Sequence, residues 1–273
     1  MSEIAARHIV ITGGASGIGR RMALKLAALG GRISVWDIHQ ANLDKVVQEL
    51  NAAARETARG FQCDVSRRDN VYRIASETTA AAGPVDILIN NAGIVSGARL
   101  LDTPDEKIEA TFAVNTLSLF WTAKSFLPPM IERNRGHVVT IASASGFIGV
   151  PKLADYSASK WAAIAFDESL RAELHQMGSS VKTTVVCPFY IDTGMFRGVK
   201  SRFSWLLPIL KEEDVATRVV AAIQRDQPRL LMPPAVYLVP PMRILPVRAF
   251  DWLATFLGVN ASMDEFKGRK GPG

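Results

Sequence analysis

Short apolar runs alternate with stretches in which apolar residues recur every three or four positions, from residue 8 to about residue 232. Runs of four to eight apolar residues predict buried strands, and the three-to-four spacing predicts amphipathic helices. The predicted strands are 8–12, 32–37, 60–65, 85–89, 137–143, 181–187 and 229–232. Between them fall helices at 17–30, at a stripe carrying Leu43, Val46, Val47 and Leu50, and at 69–82, 105–133, 155–177 and 211–225. In the first helix Ile18, Met22, Leu26 and Leu29 share one face; in the long one Pro128 and Pro129 predict a bend. Such βα alternation predicts an α/β, doubly wound parallel sheet with helices on both faces. Ligands of these sheets sit at the carboxyl ends of the strands, where Gly13, Asp37, Asp64, Asn90, Ser143 and Pro188 fall.

The 273 residues, 48% hydrophobic and 21% charged, can bury a sizeable core. No linker, repeat or low-complexity tract divides them, so residues 1–273 read as a single domain. The net charge of +6 is spread along the chain without a nucleic-acid module, which argues against nucleic acid as a partner. Two cysteines, Cys63 and Cys187, form no disulfide framework and suggest buried thiols in a reducing, cytoplasmic setting. Four histidines and two cysteines form no metal-ligand cluster, so no metal is expected. A signal peptide is not expected, and no run of ~18 apolar residues predicts a spanning helix.

The chemistry concentrates in two places. Thr12-Gly13-Gly14-Ala15-Ser16-Gly17-Ile18-Gly19 lies between a strand and a helix, the context of a dinucleotide-binding turn. Glycines there let the backbone approach a pyrophosphate, and the helix N-terminus offers free N–H groups. Asp37, about 20 residues later, can accept hydrogen bonds from the adenosine ribose of NAD and would repel the 2′-phosphate of NADP. Asp64 is placed for the adenine edge, and Asn90 and Gly93 form the next turn beside the cofactor. The second place is Tyr156-Ser157-Ala158-Ser159-Lys160, where i and i+4 share a helix face. A nearby ammonium favours the phenolate, which predicts Tyr156 as an acid/base near neutral pH.

With these motifs in their order and spacing, the chain resembles the short-chain dehydrogenase/reductase family. The matching pieces are Thr12-Gly13-x-x-x-Gly17-Ile18-Gly19, Asp64-Val65, Asn90-Asn91-Ala92-Gly93, Asn115, Ser143, Tyr156-x-x-x-Lys160, and Pro188 with Thr193, together covering residues 8 to about 195. The resemblance implies a Rossmann-type domain with its substrate site at the C-terminal edge. It implies Tyr156 as proton donor or acceptor, and Lys160 lowering its pKa and binding the nicotinamide ribose. Ser143 would hydrogen-bond the substrate oxygen, Asn115 would hold a relay water, and Thr193 would contact the nicotinamide carboxamide. Cofactor contacts would extend over Gly13, Ser16, Gly17, Ile18, Gly19, Asp37, Asp64, Val65, Asn91, Ala92, Gly93, Pro188 and Ile191. Ser145 competes with Ser143, although the family spacing favours Ser143; Asn115 could simply perturb its helix, and Thr193 could be a plain cap. A homo-oligomer, dimer or tetramer, built through the helices carrying Asn115 and Tyr156, is also implied.

One departure concerns the substrate. Pro188 is followed by Phe189-Tyr190 where the family commonly has glycine. That version, with Leu231-Met232-Pro233-Pro234 and the stretch from Gly258 to Gly268-Arg269, is similar to the subgroup of retinol and hydroxysteroid dehydrogenases. Segments 193–210 and 236–259 are more apolar than surface connections need and read as a lid. The lid could form a pocket for a lipophilic alcohol, a peripheral membrane patch interleaved with arginines, or a dimer interface or plain core covering. The expectation is an NAD-dependent oxidoreductase of a lipophilic alcohol or ketone, such as a steroid or retinoid. The rivals are an NADP-linked carbonyl reductase of small substrates and a catalytically silent NAD-binding regulatory protein.

Overall fold

The computed structural model describes residues 3–53 and 58–268; Arg269, quoted above in the C-terminal resemblance, lies outside them. Seven parallel strands form one sheet in the order β3-β2-β1-β4-β5-β6-β7. They are β1 (His8–Thr12), β2 (Arg32–Asp37), β3 (Ala58–Gln62), β4 (Ile87–Asn90), β5 (His137–Ile141), β6 (Lys182–Pro188) and β7 (Arg229–Met232). The helices are α1 (Gly17–Ala28), α2 (Gln40–Ala53), α3 (Arg68–Ala82), α4 (Asp105–Phe112), α5 (Ser118–Glu132), α6 (Ala154–Gln176), α7 (Glu212–Gln224), α8 (Val239–Met242) and α9 (Val247–Phe256).

The strands are apolar on both faces because both are covered. Ile9 and Ile11 join one core with Met22 and Leu26 of α1, Leu43 of α2 and Val219 of α7. Val10 between them joins the opposite core, with Ile74 of α3, Phe126 and Met130 of α5 and Leu170 of α6. The two-residue period of a strand therefore sorts neighbouring residues into separate layers. Glu212 and Glu213, in the first turn of α7, pair with Arg21 of α1, and Glu213 also pairs with Lys25, tying together the two helices of one layer. The chain order reverses between β1 and β4, and the crevice there opens at their carboxyl ends.

Three boundaries differ from the sequence reading for a visible physical reason, beside shifts of one or two residues at other ends. The third strand lies at 58–62, not 60–65, because the Asp64 carboxylate accepts from the Ser66 N–H and hydroxyl and turns the chain out of the ladder. The fifth strand stops at Ile141, because Ser143 caps a short turn over 144–146. The predicted helix 105–133 is three pieces: α4, a π-helical turn over Ala113–Leu117, and α5. α5 runs through Pro128 and Pro129 to Glu132.

Candidate active site

The glycine turn after β1 is held against the end of β4. The Thr12 hydroxyl accepts from the N–H groups of Asn91 and Ala92, at 3.0 and 3.1 Å. The Asn91 amide donates to the Thr12 and Gly13 carbonyls, at 3.0 and 2.9 Å. Gly13 has φ +61°, and a Cβ there would lie 2.9 Å from Ala92 Cα. A Cβ on Gly19 would lie 2.3 Å from the Gly13 carbonyl oxygen. Only glycine lets the first turn of α1 pack so close to the loop. Ser16 is the N-cap of α1, but its side chain makes no capping bond, leaving the hydroxyl and the first N–H groups of the helix available to an anion. Asp37 is buried and lines the crevice; its two carboxylate oxygens accept from the N–H groups of Ala15 and His39, at 3.1 and 3.2 Å. Asp64, Val65 and Gly93 line the same crevice. A cradle that any Cβ would fill, free helix N–H groups and a carboxylate at the end of β2 together fit a pyridine dinucleotide.

Ser143, Tyr156 and Lys160 line the same crevice. Tyr156 and Lys160 are one turn apart on α6, both buried. The Ser143 hydroxyl accepts from the Ser145 N–H and neighbours the Ser145 hydroxyl at 3.0 Å, so the two serines form a pair in which Ser143 faces the phenol. The Lys160 ammonium donates to the Ile141 carbonyl at 2.9 Å and sits 5.7 Å from the Tyr156 ring centre. Burial dominates both titrations. It raises the Tyr156 phenol, against the pull of Ser143 and with a small push from Tyr190, and it lowers Lys160 to about 8. The Lys160 ammonium, one turn along the same helix from Tyr156, is here turned to the Ile141 carbonyl, and burial dominates the titration of the phenol.

Asn115 lies in the π-helical turn, a feature common at functional sites. Its Oδ1 accepts from the Ile94 N–H, and its Nδ2 donates to the Ile94 carbonyl and the Ser159 hydroxyl. The side chain clamps the loop after β4 to α6, and Oδ1 and the Lys160 ammonium both lie beside Gly93. Pro188 ends β6, Ile191 pairs with Leu210, and Thr193 stands over Gly17 across the crevice. Cys63 and Cys187 are buried free thiols pushed up to about 12 by burial, which leaves neither as a reactive nucleophile.

The far end is apolar. One continuous cleft of about 370 Å³ runs from the glycine turn past Tyr156 to Phe189, Phe196, Leu206 and Leu207 on one side and Val239, Met242, Phe250 and Leu257 on the other. Phe196 stands edge-on to Tyr156 at 5.6 Å and to Tyr190 at 5.1 Å, and Tyr190 hydrogen-bonds Ser262 at 2.9 Å. Both lid segments thus contribute to the cleft.

Sequence reasoning missed several participants. Thr12 and Ser159 stood inside the quoted motifs, yet only the fold shows that their hydroxyls lock the loop after β4. Asp155, beside Tyr156, accepts from Ser96 and Thr111 at 2.7 and 2.8 Å and pins the start of α6 to two other segments. Its position in the helix N-terminus was the available signal. Ile38 and His39 line the crevice beyond Asp37 with no sequence signal.

Residues 7–203 match the family described as short chain dehydrogenase. Epidermal retinol dehydrogenase 2 of Mus musculus is 42% identical over 270 residues, covering 98% of this chain and 87% of that protein. Retinol dehydrogenase 10 of Homo sapiens is 38% identical over 292 residues, covering 97% and 86%. Among solved structures, a short chain dehydrogenase/reductase from Burkholderia phymatum in complex with NAD superposes with a TM-score of 0.80 at 28% identity, covering 89% of this chain and 95% of that one. A metagenomic short-chain oxidoreductase in complex with NADP gives 0.69 at 30% identity, covering 84% and 96%.

Proposed function

The chain belongs to the short-chain dehydrogenase/reductase family, and from that premise we propose an NAD-dependent oxidoreductase acting on the hydroxyl or carbonyl carbon of a lipophilic substrate, a retinoid foremost. The supporting observation is the single cleft that joins a dinucleotide cradle, Tyr156 and an apolar chamber. The names of the relatives favour a retinoid, and the carboxylate of Asp37 favours NAD over NADP.

Bound nicotinamide supplies a hydride acceptor or donor at its C4. The chain's own residues do the rest. The apolar walls hold the substrate tail and exclude water. Ser143 donates to the substrate oxygen, with Ser145 fixing its rotamer. In reduction, the phenol of Tyr156 gives its proton to the oxygen as the carbonyl carbon gains hydride. In oxidation, Tyr156 acts as the phenolate, having first lost its own proton to solvent, and its oxygen takes the hydroxyl proton as the carbinol carbon loses hydride. In both directions the charge of the Lys160 ammonium, one turn from Tyr156 on α6, favours the phenolate. Proton transfer by a positioned side chain is worth ~10²–10⁴ in rate.

The test is NADH formation or consumption at 340 nm with retinoids, steroids and small alcohols, in wild type and Tyr156→Phe. The variant should retain NADH binding and lose turnover by at least ~10²-fold. Undiminished turnover in the variant sinks the mechanism. Turnover of small polar substrates alone sinks the lipophilic assignment, and NADH binding without any turnover leaves a regulatory protein.

A further inference from the structure

The α8–α9 segment is apolar on two faces. Phe250, Ala254 and Leu257, spaced by four and three, face the cleft. On the opposite side of α9, Trp252 and Phe256 are exposed by 67% and 47%, and Ile244 and Val247, before and at its first residue, by 89% and 75%. Trp252 and Phe256 stack on each other at 5.6 Å with their planes 12° apart. The other lid segment adjoins them, since Phe203 packs on Phe256 at 5.7 Å and Arg202 donates to the Phe256 carbonyl. Trp205, two residues on, is 80% exposed. An apolar surface of this kind costs free energy in water and marks a contact.

The charges around it decide which contact. Segments 193–210 and 236–259 carry five basic residues, Arg197, Lys200, Arg202, Arg243 and Arg248, against one acidic residue, Asp251, with Asp192 just before the first. Lys200 is paired with Glu265. Arg243 is held in place, its guanidinium 4.5 Å from the Trp161 ring centre and donating to the Phe147 carbonyl. Arg202 rests over Phe203 and Phe256. Arg248 is exposed on α9 itself. A second copy is a poor partner, because a two-fold interface sets the same patch against itself and brings these arginines together. Tryptophan and aliphatic side chains among arginines match instead a bilayer surface, where rings sit at headgroup depth and guanidinium groups meet lipid phosphates. No helix among the described residues is long and apolar enough to cross a membrane, so the geometry is that of a segment lying in the surface.

We propose that the outer face of α8–α9, with the tip of the 202–205 loop, docks onto anionic phospholipid membranes. The docked helix is also a wall of the substrate cleft, so the chamber lies about one helix diameter, roughly 10 Å, from the lipid. Delivery of a lipophilic substrate across that wall rests on the function proposed above; the docking itself does not.

The test uses the purified full chain and sedimented vesicles of phosphatidylcholine, alone or mixed with phosphatidylserine. The chain should pellet with the mixed vesicles, and salt should weaken this by screening the arginines. Ile244→Ser with Trp252→Ser should weaken binding at least tenfold, and Arg248→Glu severalfold. None of these three residues lines the cleft, so NADH binding and melting temperature should stay at wild-type values, showing that the fold is intact. Wild-type chain remaining in the supernatant with both vesicles overturns the proposal. So does equal pelleting by the well-folded double variant. A wild-type dimer that the double variant converts to monomer, without vesicle binding, assigns the face to a second copy. Because binding is read without turnover, the outcome is independent of whether the enzyme assignment holds.

Discussion

Asp37 shows how one side chain can serve both fold and ligand. Its carboxylate accepts from Ala15, inside the glycine turn, and from His39, just past β2, so it shapes the crevice it lines. Truncation to alanine would damage the turn as well as the cofactor preference. Asp37→Asn is the cleaner probe, since it keeps the volume and removes the charge that repels a 2′-phosphate. A hydrogen bond to a charged group contributes about 1.5–3 kcal/mol, so the NAD-over-NADP preference should fall by roughly tenfold or more. Fluorescence titration with NADH and NADPH reads this directly, and an unchanged ratio would remove Asp37 from the selection. At this scale the sequence was informative wherever chemistry depends on residue type and spacing, as with Ser143, Tyr156 and Lys160. It was silent on where a flexible side chain turns: i and i+4 put Lys160 on the face of Tyr156, but its ammonium hydrogen-bonds the Ile141 carbonyl.

Among the elements, the junction of β1 and α1 has the least room. Gly19 belongs to the helix, yet the space for its Cβ is occupied by the Gly13 carbonyl and, at 2.6 Å, by the Asn91 amide. Gly19→Ala must push α1 away from the loop or break the Asn91 bonds. Overpacking of this kind costs about 1–3 kcal/mol. We expect a lower melting temperature together with at least tenfold weaker NADH binding; a variant that melts lower but binds normally would separate the cradle from the cofactor. Strand and helix positions were legible because burial on both faces writes uninterrupted apolar runs and regular stripes. Their ends were less so. Asp64 and Ser143 stop their strands through side-chain bonds to the next turn, and the π-helical turn around Asn115 leaves no mark in hydrophobic spacing. The lid was visible only as excess apolarity, because its inward and outward faces carry the same residue types.

For the molecule as a whole, buried ionisable groups set the pH range of stability. Asp167 on α6 is fully buried; its Oδ2 accepts from Arg171 at 2.9 Å, while Oδ1 has no hydrogen-bond partner. Burial raises it from the ordinary carboxylate range to about 7, against Arg171 and Thr183. A raised folded pKa means that its contribution is fully present below the unfolded value near 4 and is lost as pH rises towards 7. His137 has the opposite sign: burial lowers it to about 4, so its contribution holds above 6.5 and is lost as pH falls towards 4. Asp167→Asn should therefore gain about 1–3 kcal/mol at pH 8, the cost of an unpaired buried polar atom, and little at pH 5. Urea unfolding at the two pH values measures this, and an equal difference at both would refute the assignment of the titration. The seven-strand sheet is complete at Met232, and the apolar chamber draws most of its wall from one loop inserted between β6 and α7 and from the residues that follow the last strand, with Ile148, Val150 and Leu153 ahead of α6. The chemistry of the cleft and much of its apolar wall thus lie on separate stretches of chain, so changes confined to the inserted loop and the tail can reshape the chamber while every strand, the glycine cradle and Tyr156 stay as they are.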